Sequence, residues 1–238
     1  VERMRLVIGF VFSTFMIGSV QAADWSGSVD VGADATSGNT ETVSFTASTA
    51  LAVDLENWRH SFAATAINKT DDGDTTAEAY LVGLKSDLKL TQRDYLYALA
   101  DGEYDRFGGV RERGVLGLGY GRKLIDADDF LLEGEIGGGY RYSRAQDDVI
   151  AREGVGRASL AAVATLSDSA TFSQKFLVEG GDKNVRSESQ SELRLTVIGN
   201  IAAKLFANVK HNTNVPTGTK KLDSHTGVSL SYAFGQKK

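Results

Sequence analysis

The sequence predicts an all-β chain: one antiparallel up-and-down transmembrane β-barrel of about twelve strands, following a leader that is removed. Three observations predict it. Apolar and polar residues alternate with period two through most of the chain, the mark of strands with one face of each kind. Turn-forming clusters interrupt this alternation at regular intervals. Beyond the leader no apolar run approaches the ~20 residues of a spanning helix, so a membrane can be crossed only by strands.

Composition agrees. The 238 residues contain one Pro and 26 Gly, a balance suited to long strands that curve and approach closely. There is no Cys, which excludes disulfides, thiolate metal sites, a Cys nucleophile and a lipoprotein anchor. The net charge of −5 offers no basic footprint for nucleic acid. A mean hydropathy of −0.19 does not argue for solubility, because a membrane barrel alternates its faces and averages to neutrality.

Residues 1–22 read as a secretory signal. Arg3 and Arg5 form its positive end, Leu6 to Val20 its apolar run, and Val20-Gln21-Ala22 its small-x-small cleavage site. The domain then covers 23–238. In the first strand Trp25, Val29 and Val31 alternate with Ser26, Ser28, Asp30 and Asp34. Ser37-Gly38-Asn39-Thr40 turns it, and Val43, Phe45, Leu51 and Val53 mark the second strand. Asp54–Asn57 turns into a third that opens at Trp58. Tyr80, Val82, Leu84 and Leu88 share a face against Lys85, Asp87 and Lys89; Thr91–Asp94 turns. Leu96, Ala98, Ala100 and Tyr104 oppose Asp101, Glu103 and Asp105. Leu116, Leu118 and Tyr120 oppose glycines, and Asp126–Asp129 turns. Phe130, Leu132, Ile136, Tyr140 and Tyr142 oppose Glu133, Glu135 and Arg141; Ser167–Ala170 turns. Leu193, Leu195 and Val197 oppose Glu192 and Arg194, then Leu205 and Val209 oppose Lys204 and Lys210. The last strand alternates through Thr226, Val228, Leu230, Tyr232 and Phe234. Alternation is weakest in the third, eighth and ninth strands, which leaves ten or fourteen as alternative counts.

Connections after even strands read as short turns. Those after odd strands read as mostly longer, the short Ser37-Gly38-Asn39-Thr40 excepted: Asp71–Thr76, Phe107–Glu112, Ser143–Ala151, Lys183–Glu188 and Val215–Asp223. Short periplasmic turns and longer outer loops are the asymmetry of outer-membrane barrels. Two features favour polar-inside packing over a secreted sandwich. The polar face is crowded with charge of both signs, suited to filling or hydrating a lumen. Aromatic residues collect towards strand ends, as in membrane girdles.

Trp25-Ser26-Gly27 with Ser37-Gly38-Asn39-Thr40, Tyr104-Asp105-Arg106-Phe107, Gly117-Leu118-Gly119-Tyr120, Gly139-Tyr140-Arg141, Val215-Pro216-Thr217-Gly218 and Tyr232-Ala233-Phe234 occur in an order and spacing that resembles the YdiY-like family of salt-induced outer-membrane proteins. The resemblance covers the mature chain. It implies an outer-membrane β-barrel of a Gram-negative cell and carries over no catalytic residue and no cofactor.

The expected chemistry is electrostatic. Asp101, Glu103, Asp105, Glu133 and Glu135, partly answered by Lys85, Lys89, Arg141 and Arg157, are the candidate lumen charges. They either salt-bridge across a narrow barrel and close it, which suits a structural or envelope-stress role, or line a small, weakly cation-preferring, porin-like channel for small ions. Tyr232 and Phe234 are candidates for the signal read by the barrel assembly machinery, although four residues follow the Phe. The loop cations Arg111, Arg113, Lys220 and Lys221, with Arg144, Arg152, Lys183 and Arg186, are candidates for lipopolysaccharide phosphates. An outer-membrane hydrolase is the remaining alternative. Ser224 and His225 are adjacent and point to opposite faces, His211 has no distinguishable Ser partner, and His60 reads as interfacial. Asp71-Asp72-Gly73-Asp74 opens like a calcium loop but finds no acidic twelfth ligand.

Overall fold

The structure is a computed structural model that describes residues 24–37, 42–71 and 74–235. The predicted leader, the Ser37–Thr40 turn beyond Ser37 and the centre of the Asp71–Asp74 segment lie outside the described residues.

Twelve strands follow one another: β1 Asp24–Ser37, β2 Thr42–Asp54, β3 Trp58–Asp71, β4 Asp74–Lys89, β5 Asp94–Asp105, β6 Val110–Asp126, β7 Phe130–Ala145, β8 Ile150–Ser167, β9 Ala170–Gly180, β10 Val185–Ile198, β11 Ile201–Asn212 and β12 Leu222–Phe234. Each pairs antiparallel with its sequence neighbours, and β12 pairs back onto β1, closing the barrel. Closure leaves no unpaired edge, a requirement for strands in hydrocarbon. At the seam Gly27 faces Phe234 and Ser37 faces Ser224 in one continuous register.

The faces are inverted relative to a soluble barrel. Leu116, Leu118, Ile136 and Phe45 are 65–76% exposed, whereas Glu179 is 0% and Asp87 1% exposed. Apolar side chains therefore form the outer wall, and charged ones fill the interior. Aromatic residues flank this apolar band. Trp25 and Phe234 lie 5.8 Å apart at the end that carries both chain termini. Tyr80 and Tyr104 lie 6.3 Å apart towards the other end.

The turns at the terminus end fall where the sequence places them. Gly199-Asn200 joins Ile198 to Ile201 in two residues, with Gly199 at φ 54°, the left-handed conformation a tight hairpin needs. At the opposite end the predicted long loops are mostly shorter than expected. β7 continues to Ala145 and β8 begins at Ile150, and Asp71 pairs with Asp74 across a two-residue connection. Charged residues at strand ends, such as Arg144 opposite Ile150, read as loop by composition but keep the ladder. Among the described connections at this end, 213–221 remains long.

Candidate functional site: the charged lumen

Strand parity decides which side chains point inward. Asp30, Ser48, Thr65, Leu81, Glu103 and Arg113 are successive cross-strand partners from β1 to β6, so one inward residue identifies the inward set of its neighbour. The charges sort into bonded groups.

The largest is centred on Glu179 of β9. Its carboxylate accepts from Arg113 at 2.7 Å, Arg141 at 3.1 Å and Arg157 at 3.2 Å. Arg141 also donates to Glu153 at 2.7 Å and to the Asn184 carbonyl at 2.7 Å. Arg157 reaches Asp101 at 3.4 Å. Three arginines thus meet three carboxylates. A second group crosses the lumen. Arg186 of β10 and Lys210 of β11 meet Glu103 of β5 at 2.8 and 2.5 Å, and Arg186 also binds Glu188 at 2.5 Å. In a ring of twelve, β5 and β11 stand opposite one another. This group is also neutral.

Nearer the terminus end, Arg59 binds Asp87 at 2.7 Å and Glu133 at 3.2 Å. Lys85 binds Asp87 at 2.8 Å and Glu135 at 2.6 Å. Glu135 also accepts from the Tyr95 hydroxyl at 2.8 Å and Ser159 at 3.2 Å. The Lys85 ammonium lies 4.9 and 5.3 Å from the rings of Tyr95 and Tyr97, within cation–π range. Lys204 ties to Asp30 at 2.5 Å.

Tyr95, Tyr97, Leu99 and Val115 form a small apolar cluster inside the barrel. Glycines on β6 and β7 make room for it. A Cβ on Gly119 would meet the Tyr97 ring and the Ile136 carbonyl, both at 2.4 Å. A Cβ on Gly121 would meet the Tyr95 ring at 2.3 Å.

Two cavities flank this layer. One, about 670 Å³, reaches the end of the longer connections and is lined by Asp30, Asp101, Glu103, Asp105, Arg186 and Lys210 among others. The other, about 550 Å³, opens at the terminus end beside Asp54, Arg59, Asp87, Lys89 and Tyr95. They share no lining residue, and Lys85, Tyr97, Glu133 and Glu135 line neither.

The structure thus brings Lys85, Asp101, Glu103, Glu133, Glu135, Arg141 and Arg157 into the lumen. Lys89 instead binds Asp54 and donates to the Leu55 carbonyl at 2.7 Å, at the turn end. Asp105 accepts from the Phe107 and Gly108 amides at 3.0 and 2.8 Å and shapes its loop. Arg113 requires correction. It is 8% exposed and points into the lumen at Glu179, so it does not face lipopolysaccharide. Arg186 is likewise interior. Both were read as loop cations because their strands extend further than composition suggests. Parity was the available signal, since Arg186 lies in step with Glu192 and Arg194. Arg111 stays at the rim, paired with Asp148, and Lys220 and Lys221 lie in the long connection. Glu188 was missed for the same reason, and Arg59 and Glu153 because they lie on the third and eighth strands, where alternation is weakest. Tyr232 and Phe234 face outward beside the seam, ring centroids 6.5 Å apart. His211 lies opposite Ser187, and among the described residues no hydrogen bond joins them.

A family described only as protein of unknown function, DUF481, matches residues 29–234. The chain belongs to the DUF481 family. A relative within reach of direct alignment is the uncharacterized protein YdiY of Escherichia coli (strain K12), 31% identical over 211 residues, or 88% of this chain and 83% of YdiY. Among solved structures, this DUF481 barrel is similar to the NanC porin, with a TM-score of 0.58 at 11% identity over 86% of this chain and 98% of the porin. It also matches the translocator domain of the autotransporter NalP from Neisseria meningitidis, with a TM-score of 0.51 at 13% identity over 91% and 90%. At these identities the structural likeness defines the fold: an outer-membrane-type β-barrel.

Proposed function

We propose that this DUF481 protein is a non-enzymatic barrel of the Gram-negative outer membrane, closed at rest, with a structural role in the envelope. The observation that carries this reading is Glu103, which receives Arg186 and Lys210 from the far side of the lumen. Ion pairs that span the interior leave little fixed charge to draw ions and put side chains in their path. A link to salt stress rests on the family resemblance. Outer-leaflet lipopolysaccharide is the expected partner of Arg111, Lys220 and Lys221, and the assembly machinery that of Tyr232 and Phe234. The test is conductance of the folded protein in a planar bilayer. Absence of steps from protein of proven fold is expected, and reproducible steps would overturn the reading.

A narrow, weakly cation-preferring channel is the second reading, favoured by the two cavities on either side of the Lys85–Glu135 layer. If steps occur, replacing Glu133 and Glu135 with Gln should shift the reversal potential away from cations. An unchanged potential would count against these carboxylates as the filter.

A further inference from the structure

The β9–β12 wall of the larger cavity differs from the rest of the lumen. Lys175 faces Gln190, Gln190 faces Asn208, and Asn208 faces His225. These four side chains form one row across four strands, and all line the cavity. Phe206 lines it one inward step below Asn208, and its ring meets His225 edge-on at 5.0 Å. Most of the other inward charges are engaged with one another. The Lys175, Gln190 and Asn208 side chains make no hydrogen bond or ion pair with any described residue, and Lys175 and Gln190 are exposed to the lumen.

Each of these groups has a matching ligand chemistry. A primary amide carries both a donor pair and an acceptor. Directly opposed residues in a sheet place their Cβ atoms about 4.5–5.5 Å apart, so Gln190 and Asn208 can hold neighbouring hydroxyls of one molecule. An aromatic ring covers the C–H face of a pyranose. At the end of the row Lys175, which acts on Glu135 only through space and makes no close ion pair, supplies charge for a carboxylate. The cavity volume lies within the range of about 300–1,000 Å³ usual for small-molecule sites. We propose that this wall binds a small hydroxylated acid, a sugar acid of the uronate type. Gln190 and Asn208 hold its hydroxyls, Phe206 packs against its ring, and Lys175 takes its carboxylate.

The test is independent of whether the lumen conducts. Full-length protein folded in detergent, its fold checked by heat-modifiable gel mobility, is titrated with D-glucuronate at low ionic strength by calorimetry and ligand-observed NMR. D-glucose and acetate serve as comparisons. Glucuronate should bind at least fivefold tighter than either. Lys175→Gln should bring glucuronate down to the level of glucose. Gln190→Ala with Asn208→Ala should weaken both sugars at least tenfold. Asn208→Asp, nearly isosteric, covers the case of a double variant that does not fold; it should weaken glucuronate more than glucose. Three results would overturn the proposal: no glucuronate signal from folded protein, acetate binding as well as glucuronate, or amide variants that bind like the parent.

Discussion

Glu179 is the residue on which most lumen charge converges. It has no exposed surface and three arginine partners. Buried ion pairs add little stability over an apolar equivalent, but breaking one strands its partners. Glu179→Gln should therefore destabilise the barrel by about 3–5 kcal/mol, read as a lower guanidinium midpoint in detergent or vesicles. Arg122→Ala, which removes a 2.8 Å pair with Asp94 where the arginine side chain is 50% exposed, should leave that midpoint nearly unchanged. Equal effects would mean that the lumen pairs are solvated like surface ones. The crowding of the polar face with charge of both signs was legible in the sequence. The arginine partners of Glu179 were only partly so, because Arg113 carries no local sign that its strand continues past the apolar band.

The paired strands β6 and β7 show the same partial legibility at the level of elements. Their outward residues Leu116, Leu118 and Ile136 announce the strands and their phase. The inward glycines look like gaps until Tyr95 and Tyr97 from β5 are laid over them, a relation between strands that alternation within one strand does not contain. Gly119→Val should cost about 1–3 kcal/mol by overpacking, since its Cβ meets both a ring and a backbone carbonyl. Gly114→Ala, whose Cβ meets nothing within 4 Å, should be neutral or slightly stabilising by the same denaturation measurement. Turn positions at the terminus end were legible because Gly, Asn and Asp clusters act locally. The opposite ends were not, since charged residues occur both in loops and in ladders that pass the headgroups.

For the whole molecule, one inversion settles the environment: charge inside, hydrocarbon outside. On the usual asymmetry of outer-membrane barrels the longer connections would face outside the cell. Trypsin added to intact cells should then cut first after Lys220 or Lys221, in the longest connection, and reach Arg93 and Lys123 only after the outer membrane is permeabilised. Early cleavage at Arg93 would reverse the orientation. The tie between Glu103 and its partners on β10 and β11 also bears on the order of events during synthesis. Glu103 emerges before the chain is half made, whereas Arg186 and Lys210 arrive near its end. Until they do, the nearest cation is its cross-strand partner Arg113. A chain cut short after β9 lacks both close partners of Glu103 together with the strands that close the barrel, so the same last quarter of the sequence neutralises the interior and seals the wall.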